Sequence, residues 1–208
     1  MEKKIIVTIS RQYGSGGREI GELVAKALGI PLYDKEIITA AAADGTLSEE
    51  ADKAHNTAAN SLLYTLAMGS NVFGTTAHFG YRMPLNDKLF LLQSDVIRGY
   101  ARMGSCVVVG RCADYVLRDE KDILRTFIYA DIDFRTKRTK ERHPEIKDGQ
   151  IIDIINKTDK RRSSYYNFYT GNKWGKLDHY DMALNSSTLG IEGAAASIIA
   201  AAKRMLEE

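Results

Sequence analysis

Two kinds of apolar pattern alternate along the chain from its first residues. Ile5, Ile6, Val7, Thr8 and Ile9 form a β-branched run that is apolar on both faces, which predicts a strand buried in a parallel sheet. Gly14, Ser15, Gly16 and Gly17 break it. From Arg18 to Leu28 the residues Ile20, Leu23, Val24, Ala27 and Leu28 recur at helical spacing, and Gly29 with Pro31 stops the helix. A second strand is predicted at Ile30 to Tyr33, ending at Asp34. A helix over Ile37 to Ala43 follows, closed by Asp44 and Gly45. Leu47 to Leu66 reads as mainly helical. Met68 to Pro84, with Gly69, Gly74, Gly80 and Pro84, reads as an irregular excursion of the kind that is usually functional or mobile.

A helix over Asp87 to Met103 leads to a third buried strand, Cys106 to Val109, which stops at Gly110 and Arg111. Ile123 to Ala130 reads as a fourth strand and Met182 to Asn185 as a short fifth. Between them, Phe134 to Arg142 and Gln150 to Phe168 read as cation-rich helices, and Glu192 to Leu206 as an alanine-rich closing helix. Strands alternating with helices predict an α/β fold in three layers, with a five-stranded, mostly parallel sheet covered on both faces. Ligands of such folds sit beyond the carboxyl ends of the strands. The glycine turn, Asp34, Gly110 with Arg111, and Asp131 all fall at such ends. No repeat, low-complexity tract or linker divides the 208 residues, so one domain over 1–208 is expected.

Composition narrows the choice of partners. Hydrophobic residues make up 44% of the chain, enough for a sizeable core. Lys and Arg number 29 against 27 Asp and Glu, so the net charge of +2 gives no reason to expect a nucleic-acid surface, and any phosphate chemistry must be local. Cys106 and Cys112 are too few for a disulfide framework or a four-ligand zinc site, which fits a reducing compartment. Met1 to Lys4 is charged and runs directly into the first strand, with no apolar segment long enough for a signal peptide or a membrane span. A cytoplasmic location without a membrane partner is expected.

The candidate chemistry starts at Ser10 to Glu19, SRQYGSGGRE. Backbone amides exposed by a glycine turn, with the positive end of the following helix, make an anion site suited to nucleotide phosphates. The usual fingerprint is G-x-x-x-x-G-K-[ST]. With Gly16 as its second glycine, Arg11 stands at the first, Gly17 replaces the lysine and Arg18 the hydroxyl residue. Two readings are open: an ordinary tight turn, or a phosphate loop in which Arg11 or Arg18 supplies the missing charge and Glu19 reaches magnesium.

The segments ISRQYGSGGREIG, PLYDKEII, VVVGRCADYVL, DKRRSSYYNFYTGNKWG and YDMALNSSTLGIE together resemble the cytidylate kinase-like family over nearly the whole chain. The resemblance implies a P-loop nucleoside monophosphate kinase fold with a helical lid. It also implies transfer of the γ-phosphoryl of ATP, with Mg2+, to a nucleoside monophosphate such as CMP or dCMP. A non-catalytic nucleotide-binding protein of the same fold is the alternative, because bacterial cytidylate kinases keep the loop lysine that Gly17 replaces here. Carried over by residue, Gly14, Ser15, Gly16, Gly17 and Arg18 match the phosphate loop. Asp34 matches the acidic end of the second strand near the acceptor, and Arg111 the arginine that touches the acceptor phosphate. Asp159 and Arg162 match an Asp-x-x-Arg element of the lid, with Arg161 beside them, and Ser187 to Glu192 match a structural turn.

Several residues carry two readings each. Arg135, Arg138 and Arg142 share one helical face and serve either a closing lid or a solvated helix side. Tyr165, Tyr166, Phe168, Tyr169 and Trp174 stack a base or, preferably, pack. Asp131 and Asp133 cap a helix in the preferred reading, or orient magnesium or the acceptor in the other. His55, His78, His143 and His179 have no ligand-like spacing. The excursion at Met68 to Pro84 and the aromatic cluster leave a homodimer open.

Overall fold

A computed structural model describes residues 3–44 and 84–207. The helix expected over Leu47 to Leu66, the excursion up to residue 83, His55 and His78 lie outside the described residues. The strands are β1 (Ile6–Arg11), β2 (Leu32–Tyr33), β3 (Cys106–Val109), β4 (Ile123–Tyr129) and β5 (Met182–Asn185). Around them lie α1 (Gly17–Leu28), α2 (Lys35–Asp44), α3 (Leu85–Met103), α4 (Ala113–Val116), α5 (Ile132–Arg142), α6 (Asp148–Thr170) and α7 (Ser186–Glu207). The sheet runs in the order β2-β3-β1-β4-β5, and every described pairing is parallel.

Alternation along β1 explains why it sits at the centre. Ile5, Val7 and Ile9 point to one face, where they pack with Ile20 and Val24 of α1 and with Ala194 and Ile198 of α7. Ile6 points to the other, against Val108 of β3, Ile97 of α3 and Val116 of α4. A strand buried on both faces has no place for a regular polar alternation, which is the pattern read in the sequence. Its register sets Ile9 beside Val109 of β3 and Arg11 beside Ile128 of β4. The carboxyl ends of three strands therefore meet around Arg11.

Several boundaries differ from expectation for identifiable reasons. β1 extends to Arg11 because β4 continues to pair with it. α7 is a short helical turn from Ser186 followed by a kink at Gly190, whose φ of 70° and ψ of 174° are not helical, and the alanine-rich helix expected from Glu192 begins just beyond that kink. Asp131 occupies the N-cap position of α5 but makes no capping bond. Instead its carboxylate accepts from the Ser187 hydroxyl at 2.9 Å, and its N–H donates to that hydroxyl at 3.1 Å, tying β4 to the start of α7. Cys106 and Cys112 are buried and unpaired, and burial pushes their thiols up to about 11 and about 12. Among the described residues, no helix is long and apolar enough to cross a membrane.

Candidate active site

The chain leaves β1 through a loop whose hydrogen bonds are partly spoken for. The Gln12 N–H donates to Ile128, the Ser15 N–H to Gln12 and the Tyr13 N–H to the Asp159 carboxylate. The N–H groups of Gly14, Gly16, Gly17 and Arg18 meet no acceptor among the described residues, and α1 has no side-chain cap. Gly14 and Gly16 adopt φ of 78° and 79°, a left-handed turn that aims these amides outward. Ser15 turns the other way. Its buried hydroxyl donates to the Gln12 carbonyl, and its own carbonyl accepts from Ser186. The loop is thus built as an anion cradle with a fixed inner side.

The two arginines of the loop have different fates. Arg18 lies on the surface and pairs with Asp34 at 2.9 Å and with Glu22 at 3.3 Å. Asp34, only 2% exposed, also accepts the N–H groups of Glu36 and Ile37, so it caps α2. Arg11 runs inward against Gly17 and Gly110, and its guanidinium has no described partner. Burial, then Arg162 and Arg111, press its pKa down to about 9, which still leaves the group charged at neutral pH.

α5 closes over the loop. Gly14 packs directly on the Arg135 carbonyl, where a β-carbon would stand at 2.9 Å. Arg135, 8% exposed, pairs with Asp159 at 2.6 Å, while Arg138 and Arg142 both reach Glu19 of α1, at 2.5 and 2.8 Å. The shared helical face read in the sequence is therefore engaged with α1 and α6, with Arg142 at its exposed end. The Nε atoms of Arg135 and Arg138 remain buried without a partner among the described residues. A cleft of about 320 Å³ lies between loop and helix, lined by Gly14, Gly16, Gly17, Arg18, Arg138 and Arg142 among others.

A second cleft of about 350 Å³ opens beyond β3, lined by Arg111, Arg161, Arg162, Thr158, Tyr165 and Trp174 among others. Gly110, Arg111 and Cys112 are successive left-handed residues, with φ of 81°, 55° and 55°. For the two with side chains this costs about 1–2 kcal/mol each, and it swings Arg111 into the cleft. There Arg111 stacks over Tyr165 at 5.5 Å and donates to the Gln93 amide oxygen at 3.3 Å. Gln93 is itself fully buried and donates on to Thr39. Arg162 donates to the Arg11 carbonyl at 2.9 Å, and burial first of all holds its pKa below the ordinary guanidinium value.

The site residues expected from the sequence thus divide. Arg11, Arg111, Arg161 and Arg162 converge on the second cleft, and Arg11, Lys35 and Arg162 line both clefts. Asp34 and Asp159 do not line the second cleft. Asp34 borders the loop-side cleft, and Asp159 joins α6 to the loop and to α5. Of the aromatic residues, Tyr165 and Tyr169 pack on Phe90, and Trp174 packs edge-on to Phe127. Gln93 and Lys35 escaped the sequence reading. Gln93 left one signal, a polar residue at an apolar phase of α3.

A family model, the cytidylate kinase-like family, matches residues 6–188. The chain belongs to that family. A crystal structure of an uncharacterised protein from Eubacterium ventriosum ATCC 27560 is similar at 27% identity and a TM-score of 0.72, covering 96% of this chain and 99% of its own. Shikimate kinase from Bacteroides thetaiotaomicron shares the fold, with a TM-score of 0.52 at 11% identity over 97% of this chain and 99% of its own. No curated protein matches the chain. The cytidylate kinase-like chain is therefore an α/β three-layer protein of the P-loop kinase fold.

The residues of this family member fit a nucleotide's phosphates. Gly14, Gly16, Gly17 and Arg18, whose amides are open, line the loop-side cleft together with Arg11 and Arg138. For magnesium, the two carboxylates beside the loop are already engaged. Glu19, expected to reach magnesium, is spanned by two arginines, and Asp34 is taken by Arg18 and the α2 amides. Among the described residues, no group of three His, Cys, Asp or Glu side chains is placed to hold a metal.

Proposed function

We propose that this protein transfers the γ-phosphoryl group of ATP to a nucleoside monophosphate, with CMP or dCMP as the acceptors that its family suggests. The observation that carries the reading is the shared wall of the two clefts, formed by Arg11, Lys35 and Arg162. Phosphoryl transfer asks for alignment and charge neutralisation more than for covalent chemistry, and a wall of cations between two anion sites supplies both.

In this scheme the triphosphate lies on the amides of Gly14, Gly16, Gly17 and Arg18, and the acceptor phosphate lies against Arg111 and Arg161. An ionised oxygen of the acceptor forms a bond to the γ-phosphorus as the bond to the β,γ-bridging oxygen breaks, and that electron pair leaves with ADP. No proton has to move when the acceptor phosphate is a dianion. Tyr165 and Trp174 offer the apolar surface against which a base would lie.

The test is phosphorus NMR of the protein with ATP, magnesium and, in turn, CMP, dCMP, UMP, AMP and GMP. A nucleoside diphosphate growing in at the expense of ATP with one acceptor is the expected result. A second reading, nucleotide binding without turnover, is favoured by the neutralisation of Arg138 and Arg142 by Glu19. ATP binding with no transfer to any acceptor would select it.

A further inference from the structure

Gly17 stands where a phosphate loop ordinarily carries its lysine, and Arg11 where it carries its first glycine. The two departures are sterically matched. A β-carbon on Gly17 would stand 2.5 Å from Cβ and 2.8 Å from Cγ of Arg11, so a side chain at 17 is incompatible with the arginine as it lies. The arginine then runs on to Gly110, where a β-carbon would collide with its guanidinium. One glycine on α1 and one beyond β3 clear the channel that Arg11 fills.

Little in that channel neutralises it. The guanidinium has no hydrogen-bond or ion-pair partner among the described residues, and its nearest charged neighbours include Arg162 and Arg111. Glu36 and Asp34 offset them only in part. A desolvated cation among cations, open to two clefts, is complementary to an anion that arrives from outside.

We propose that Arg11 is the catalytic cation that binds the transferring phosphoryl group, in the role a lysine at position 17 would have, and that Gly17 is the matching loss that makes room for it. The positive charge has moved from the first turn of α1 to the last residue of β1. A planar guanidinium fork reaches oxygens on two sides, which a lysine's point charge does less well. The inference rests on the phosphoryl-transfer reading above.

Calorimetric titration of the full chain with inorganic tripolyphosphate tests it without requiring turnover. Arg11→Met keeps the stem against Gly17 and Gly110 and removes only the charge; it is expected to weaken binding about tenfold or more. Gly17→Lys alone is expected to weaken binding because the new side chain meets Arg11. The exchange pair Arg11→Gly with Gly17→Lys is expected to return to within about threefold of the parent protein. Unchanged affinity in Arg11→Met overturns the assignment, and so does an exchange pair that folds yet binds no better than Gly17→Lys. Arg11→Met alone decides the matter if the loop does not accept a lysine. Parent protein that binds tripolyphosphate through Arg11 but phosphorylates no acceptor keeps the anion-binding assignment and removes the kinase reading.

Discussion

Asp159 accepts a 2.7 Å hydrogen bond from the backbone N–H of Tyr13, and through it α6 is fastened to the glycine loop. The same carboxylate holds Arg135 of α5 at 2.6 Å, so one side chain joins the loop, α5 and α6. Asp159→Ala strands a loop amide and a buried guanidinium together. The expected cost is about 1–3 kcal/mol, a drop of several degrees in the melting temperature, with faster hydrogen exchange at Tyr13. A melt and an exchange profile that match the parent protein would count against this joint.

Glu19 is an internal anion that competes with any phosphate for Arg138 and Arg142. Glu19→Gln frees both arginines, and because the pairs are partly exposed the gain is modest. Affinity for tripolyphosphate should rise about fivefold, with a steeper dependence on salt. Weaker binding in this variant would mean that the carboxylate serves the ligand directly.

Gln93 positions Arg111 from behind, since its amide oxygen is the acceptor that the guanidinium meets at the cleft wall. Gln93→Leu keeps the packing of α3 and removes that acceptor. The KM for the acceptor nucleotide should rise about tenfold while the KM for ATP stays within about twofold, a split that a general loss of stability would not produce.

Asp114 is the buried carboxyl of α4, and it accepts from the Tyr166 hydroxyl at 2.6 Å. Burial above all raises its pKa, against the opposing pull of hydrogen bonds from Tyr166 and Ser10. The folded protein therefore binds this proton more tightly than the unfolded chain. Its stabilising contribution is complete below the ordinary Asp value of 3.8 and is lost as the pH rises through the raised value. Relative to Asp114→Asn, the parent protein should lose melting temperature as the pH rises from about 4 through the raised value. A difference independent of pH would refute the assignment.

The fold was largely legible because its strands are buried on both faces and its helices are punctuated by glycine. β1, the glycine turn and α1 announce themselves through Ile5 to Leu28, and β3 through four apolar residues ended by Gly110. Asn185, Ser186, Ser187 and Gly190 carry turn chemistry, which announced the kink before the alanine-rich helix but hid the short helical turn from Ser186 that precedes it. The cations of the site were visible as residue types, but their allegiances were not. Arg18 and Arg11 are equivalent on paper, and only the packing at Gly17 and Gly110 separates a surface pair with Asp34 from an unpaired charge between two clefts. The carboxylates were harder still. Whether Glu19 meets a metal or two arginines depends on how α5 crosses α1, a distance no spacing encodes.

The central claim, two phosphate clefts meeting at Arg11, is tested most directly by a bisubstrate ligand in which adenosine and cytidine are joined through a chain of five phosphates. If the clefts form one continuous donor and acceptor site, this compound binds with one-to-one stoichiometry and on the order of 100-fold more tightly than ADP, because its second half binds at high effective concentration. Arg111→Ala should remove most of that advantage. An affinity no better than that of ADP, with Arg111→Ala without effect, would contradict the account.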